Sequence, residues 1–369
     1  MKKEYFLLIA TTAITVILVL GMVRFIAPSL LGGSRDLVFV RSSVEIPPFF
    51  DNIFREEDYT SDEFILHDPR LIIRGRPLYP GDDRYGPNDI LGFRNWSVPN
   101  HAEIVTIGDS QTYGNNAPLE LNWPSRMGFH LGLEPDQVYN MSVGGWNAPQ
   151  YLEIFPKALI FKPKVIIVAF YTGNDAFGSF LHVYGSENWP QLKTDTSLTA
   201  EDAPNVPAAF TDKWSTTFGD GTKIRFTPKR RLLSNNLDLA PVRAGSEILR
   251  KVATNINRRS KELDIPVIFT IIPTKELVYA NRIIQDGIDP PKDYKNLIEQ
   301  ESINIKELAE HILSLGGSEY VDVVTPLQVS ALTKLLYPKG TSGHPTASGY
   351  EVIGATLAKA TKKYISETF

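Results

Sequence analysis

The chain has 369 residues, 43% of them hydrophobic and 22% charged, with a formal net charge of -4. That composition belongs to a folded globular protein of one large domain plus attachments, or of two domains, and the mildly acidic balance gives no electrostatic case for nucleic acid. There is no cysteine, which excludes disulfides, cysteine nucleophiles and thiolate metal sites but leaves the redox compartment open.

Tyr5 to Val23 carries no charge and is dominated by Leu, Ile, Val, Ala and Thr. As a helix rising about 1.5 Å per residue it would extend about 28 Å, close to the thickness of a bilayer core. Lys2 and Lys3 precede it, so the positive-inside rule puts residue 1 in the cytoplasm and the rest of the chain outside. A cleaved signal peptide is the rival reading. The run is long for an h-region and no clean small-x-small site follows it, which favours an uncleaved anchor within residues 1–26.

Residues 27–100 are rich in Pro, Gly, Asp and Arg with weak periodicity. Ile46-Pro-Pro-Phe-Phe50 and Pro77-Leu-Tyr-Pro-Gly81 read as irregular, extended segments. This stretch is expected to be a membrane-proximal linker that becomes an extension packed on a domain covering 101–369.

From Glu103 onward strands and helices alternate. The strand candidates are Glu103 to Ile107, Gln137 to Met141, Lys164 to Phe170, Pro266 to Ile272 and Glu319 to Val323. Helical patterns fall at about Trp123 to Leu131, Gln150 to Phe161, Ala244 to Leu263, Leu297 to Leu315 and Thr346 to Ile365. Hydrophobic strands separated by helices imply a five-stranded parallel sheet covered on both faces, and right-handed crossovers then give a three-layer, doubly wound α/β/α domain. The stretch 177–242 interrupts the alternation with aromatics and polar runs of no firm period. It reads either as a lid or substrate-binding elaboration at the sheet edge, or as a peripheral loop.

Four short motifs fall at strand ends or before the last helix: Gly108-Asp109-Ser110, Asn140-Met-Ser-Val-Gly-Gly145, Gly173-Asn174-Asp175 and Gly343-His344-Pro345. In an open parallel sheet such loops converge on one crevice. Ester cleavage or acyl transfer needs a nucleophile, a base beside it and donors for the oxyanion. Ser110 is the motif-embedded nucleophile, and His344 is the base, because neutral imidazole accepts a serine proton near neutral pH. The Ser110 amide, the Gly145 amide and the Asn174 side-chain amide supply three donors, and Gly145 lets the backbone come close to a ligand. Each motif has an ordinary alternative as a turn, a helix cap or a surface residue. Their joint order on successive strand ends is what favours chemistry.

These four blocks resemble those of the SGNH hydrolase superfamily, the GDSL esterases and lipases, over about Asn100 to Phe369. The resemblance implies a flavodoxin-like sheet, serine catalysis and an oxyanion hole from Ser110, Gly145 and Asn174. Ile272-Pro-Thr-Lys-Glu-Leu-Val-Tyr279 is also similar, over a short span, to membrane-attached SGNH proteins linked to envelope polysaccharide O-acetylation. One position departs from the pattern. The family usually has an aspartate three residues before the histidine, and here Thr341 stands there. The carboxylate orients the imidazole and stabilises its cation. Without it, His344 is left to a backbone carbonyl or Thr341 as a Ser–His dyad, or to Asp322 near the end of the fifth strand.

His67, His101, His130, His182 and His311 show no paired metal-ligand spacing, and neither a Walker loop nor a Gly-x-Gly-x-x-Gly opens a helix, so no metal or nucleotide cofactor is expected. Two classes of function follow. One is a membrane-anchored, extracytoplasmic serine esterase or acyltransferase acting on acyl or acetyl esters of a glycan or lipid. The other is a non-catalytic glycan-binding or scaffold subunit that keeps the fold, for which the Thr341 departure is the main support. Nothing in the sequence points to a protein partner.

Overall fold

The computed structural model describes residues 63–82, 85–206 and 211–365. The expected anchor at Tyr5 to Val23 and the first half of the 27–100 stretch lie outside them. Among the described residues no helix is long and apolar enough to cross a membrane.

The described chain opens with an antiparallel hairpin, β1 (Ile65–Asp68) and β2 (Ile72–Gly75). The main alternation follows: β3 (Ile104–Gly108), a one-turn helix α1 (Ser110–Tyr113), α2 (Trp123–Leu131), β4 (Val138–Ser142), α3 (Ala148–Ala158), β5 (Val165–Tyr171) and α4 (Asp175–Tyr184). A second hairpin, β6 (Trp214–Thr217) and β7 (Lys223–Phe226), leads to α5 (Pro228–Asn235) and the long α6 (Ala240–Leu263). The rest comprises β8 (Val267–Ile272), α7 (Lys275–Val278), α8 (Ala280–Gln285), α9 (Lys292–Ser314), β9 (Ser318–Val321), α10 (Val324–Ala331) and α11 (Ala347–Ile365).

Five strands form one parallel sheet in the order β4-β3-β5-β8-β9. Taken in sequence order these are strands 2-1-3-4-5, so the order reverses at β3 and the crevice beyond its C-terminal end is the switch point. Every residue of β3, β4, β5 and β8 is buried, as expected of a sheet covered on both faces. The edge strand β9 is only half-buried. Alternate residues Val165, Ile167, Ala169 and Tyr171 of β5 share a core with Trp123 and Met127 of α2 and with Ile353 and Leu357 of α11. The opposite face carries Phe170, whose ring lies 5.8 Å from Tyr151 of α3 and stacks on Phe269 of β8 at 6.0 Å. Burying each such side chain stabilises the fold by about 1.5–3 kcal/mol. Gly354 sets the closeness of α11 to α2: a methyl there would stand 2.9 Å from the Trp123 carbonyl oxygen and the Met127 amide.

The strands lie within about two residues of the sequence expectation, and the differences have local causes. The fifth ends at Val321 because Asp322 turns the chain and its carboxylate accepts the Val324 amide (2.8 Å) at the start of α10. Helix α6 begins four residues early, at Ala240, with Pro241 in its first turn.

The 63–100 segment is fastened to α1, the helix that Ser110 opens. The buried Arg94 donates to the carbonyls of Gly86 (2.8 Å), Tyr113 (3.2 Å), Gly114 (2.5 Å) and Ala117 (2.7 Å). The Tyr113 hydroxyl donates to Asn88 (2.7 Å) and accepts the Gly86 amide (2.8 Å).

Candidate active site

Ser110 opens α1 directly after β3. The turn is held by Asp109, a fully buried cap whose carboxylate accepts the Gln111 amide at 2.8 Å. Neighbouring strands bring up the flanks. After β4 comes Gly144-Gly145, where a methyl on Gly144 would lie 3.7 Å from Ser110 Cβ. Gly145 takes φ +87, a left-handed value that glycine adopts without strain, and a methyl there would press on Ile73 of β2 at 2.9 Å. After β5 comes Gly173-Asn174, with Asn174 capping α4 and its side-chain amide lying against the Asp109 carboxylate. The Asn174 Oδ1 is buried without a hydrogen-bond partner.

His344 arrives from a point 234 residues away in sequence, and its Nε2 lies 2.8 Å from Ser110 Oγ. The hydroxyl's other acceptor, Asp109 Oδ2, is further off at 3.3 Å. Side chains next to Ser110 seat the loop that carries His344. Gln111 donates to the Gly343 carbonyl (3.2 Å), and Asn116 donates to Ser342 Oγ (2.8 Å) and the His344 carbonyl (3.2 Å).

Neither candidate orienting group bonds the imidazole. Thr341 makes no hydrogen bond to it, and the Asp322 carboxylate is exposed and occupied with the start of α10. Among the described residues no carboxylate bonds the His344 ring. Burial, and then the charge of Arg231, push the imidazole down to about 4. The ring is therefore neutral at pH 7 but weakly basic. Asp109 and Asp175 lie buried beneath the site, and burial raises both, with the Asp109 charge raising Asp175 further. Asp175 accepts the Tyr171 amide (2.9 Å) and the Tyr151 hydroxyl (3.1 Å).

Sequence reasoning missed Arg231. It comes from α5, inside the 177–242 stretch, and donates to the Gly173 carbonyl at 3.0 Å. The basic run Lys229-Arg230-Arg231 was the only signal, and such a run is more often a solvated face. Also missed was the work of Pro273-Thr-Lys-Glu276. Thr274, Lys275 and Glu276 are buried. Lys275 Nζ donates to the carbonyls of Pro338 (2.6 Å) and Gly340 (2.7 Å), anchoring the loop that leads to His344. Glu276 accepts the Thr227 amide (2.7 Å) at the cap of α5, and so fixes the helix that carries Arg231. Asn140, by contrast, serves the frame: its side chain donates to the Thr112 carbonyl (2.9 Å), and its backbone pairs with Asn95.

A serine hydroxyl within hydrogen-bond reach of a neutral imidazole can lose its proton as it attacks an acyl carbon, provided donors meet the oxyanion. The loops after β4 and β5, on either side of Ser110, are where such donors would stand.

The family profile described as the GDSL-like lipase/acylhydrolase family matches residues 106–352. No curated protein matches the chain. Among solved structures, the chain is similar to a GDSL-like lipase from Bacteroides thetaiotaomicron, at 13% identity over 70% of this chain and 87% of that one, with a TM-score of 0.37. A catalytic mutant of an acetylxylan esterase from Geobacillus stearothermophilus is 13% identical over 73% of this chain and 96% of the other, with a TM-score of 0.38. An extracellular lipase from Streptomyces rimosus is 14% identical over 71% and 99%, with a TM-score of 0.40.

Proposed function

Because the chain belongs to the GDSL-like lipase/acylhydrolase family and is an ester-acting serine hydrolase, we propose that it cleaves or transfers acyl groups, acetyl included, on a glycan or lipid outside the cytoplasm. Ser110 is the nucleophile in this reading and His344 the base. The Ser110 and Gly145 amides and the Asn174 side chain receive the oxyanion. The observation that carries it is the 2.8 Å contact between Ser110 Oγ and His344 Nε2. The run Tyr5 to Val23 behind Lys2 and Lys3 supports an N-terminal anchor with the domain on the far side of the membrane.

A serine-reactive phosphonate, read by intact mass, tests the site. One adduct on the wild type and none on Ser110→Ala supports the enzyme. No adduct on a folded wild type favours the second reading, a glycan-binding or scaffold subunit, for which the absence of a carboxylate on His344 is the specific observation. Protease added to intact spheroplasts tests the topology, and full protection of the domain would sink it.

A further inference from the structure

Tyr171, the last residue of β5, and Arg231 occupy the notch between the Asn174 loop and the His344 loop. A methyl on Gly343 would collide with Arg231 Nη2 and stand 3.3 Å from Tyr171 Oη. A methyl on Gly173 would collide with the same phenol. The two side chains pack on each other, with the guanidinium carbon 5.6 Å from the ring centroid. Their polar atoms are left over. Tyr171 is 2% exposed and its hydroxyl has no hydrogen-bond partner. Arg231 spends one donor on the Gly173 carbonyl, while its Nε is buried and unpartnered. No carboxylate among the described residues forms an ion pair with it. Glu276 gives one oxygen to Thr227 and keeps the other buried without a partner, Glu301 is bound to Thr172 and Thr274, and the charges of Glu276, Glu301 and Asp109 reach the guanidinium only at a distance.

A buried donor without an acceptor is costly, and no nearby carboxylate bonds the guanidinium directly. Two such groups converging one residue from the oxyanion-side asparagine and one from the base point to a ligand that brings the acceptor. We infer that the Arg231–Tyr171 notch binds an oxyanion, a carboxylate or a phosphate, carried by the acylated substrate, so that the enzyme selects anionic esters. The guanidinium offers the fork that suits a two-oxygen anion, and the phenol adds a further donor. An anion seated there would also offset the Arg231 charge that acts on His344.

This inference rests on the ester-cleaving reading of Ser110 and His344, and the experiment separates the two. The full chain is assayed on two pairs: acetylated oligogalacturonide against acetylated xylo-oligosaccharide, and a lysophosphatidate against the monoacylglycerol of the same chain. The expected result is a kcat/KM preference of about tenfold to hundredfold for the charged member of one pair, the size of one charge-assisted hydrogen bond. The pair that responds tells carboxylate from phosphate. Arg231→Gln should bring that ratio close to one, mainly through KM, and Tyr171→Phe should lower it by less. Ratios near one in the wild type for both pairs would overturn the inference. So would an Arg231→Gln protein whose rates on charged and neutral esters fall alike, which is the mark of a merely structural arginine. Should Arg231→Gln fail to fold, Tyr171→Phe and Arg231→Lys carry the same comparison. If no ester is turned over and no phosphonate adduct forms, the enzyme reading has failed. Calorimetry with trigalacturonate and with inorganic phosphate then decides the anion site by itself: saturable binding lost in Tyr171→Phe supports it, and no heat from either overturns it.

Discussion

The charged side chain that acts on His344 is Arg231, a cation, where a triad would have a carboxylate act on the imidazole. The consequence has two sides. A depressed imidazole is fully in its neutral, proton-accepting form at pH 7, yet it gives less driving force for the transfer and holds its cation less well in the transition state.

The pH profile should show this directly. The working form of His344 is the neutral ring, lost only as pH falls through the value of about 4 to which burial and Arg231 push it. With a neutral ester such as p-nitrophenyl acetate, kcat/KM should stay flat through the region near about pH 6.5, where a free histidine titrates, and fall only nearer pH 4. Arg231→Gln should move the acid limb upward, while burial keeps it below that of free imidazole. A wild-type limb at or above the free value would contradict this electrostatic account. The same sign applies to stability. Between the two values the unfolded chain binds a proton that the fold does not, so this group makes the protein less stable as pH falls.

Thr341→Asp restores a carboxylate three residues before His344. It should raise the acid limb and increase kcat on a small activated ester by about tenfold or more, since losing the triad carboxylate elsewhere costs far more than that. Desolvation of the new charge works against the gain, so thermal melting is followed in parallel. Equal kcat and an unmoved limb in a well-folded variant would mean that the ring needs no carboxylate. Asp322→Ala should leave the rate alone, because that carboxylate is taken up by the Val324 and Thr325 amides. It should cost about 0.5–1.5 kcal/mol of stability, the worth of an ordinary hydrogen bond. A tenfold loss of rate there would restore Asp322 as the orienting group.

Lys275→Met keeps the apolar stem and removes the ammonium that holds the Pro338 and Gly340 carbonyls. With these two carbonyls left without their donor, the loop bearing His344 should relax. We expect kcat to fall by about tenfold to hundredfold with KM little changed, as for a small misplacement of a catalytic group, and Lys275→Arg to recover part of it. A KM effect with kcat intact would place Lys275 in substrate binding instead.

Glu301 lies fully buried, its oxygens taken by Thr172 Oγ1 (2.5 Å), the Thr274 amide (2.7 Å) and Thr274 Oγ1 (2.5 Å). Burial raises it to about 7 from an ordinary 4.5. Here the fold binds a proton that the unfolded chain has released, so stability falls as pH rises across that window, by roughly 3 kcal/mol at most. Glu301→Gln should flatten this slope in denaturant melts at pH 5 and pH 8. An unchanged slope would mean that the wild-type carboxyl is ionised throughout.

The sheet and the order of its parts are legible in the residues alone. Uninterrupted apolar runs such as Val165 to Tyr171, alternating with amphipathic helices, read as strands of a parallel sheet covered on both faces. Gly108-Asp109-Ser110, Gly144-Gly145 and Asn174 then fall at the C-terminal ends of three strands by chain order alone. What periodicity could not reach was contact between segments far apart in the chain. The identity of the group beside His344 depends on α5 folding back from the 177–242 stretch to lay Arg231 against Gly343, and a surface-like basic run carries no sign of that destination. The buried trio Thr274, Lys275 and Glu276 is polar in sequence, yet it sits in the interior because Pro338, Gly340, Thr227 and Glu301 offer it partners there. Asp322 was a reasonable suspect at a strand end, but the chain turns after β9 and gives its carboxylate to the amides of α10. Local pattern fixes which residues leave the strand ends, because it follows from backbone geometry and burial. Which charges then face one another is decided by tertiary packing, because a hydrogen bond or an ion pair acts over a few ångströms and takes no account of separation along the chain.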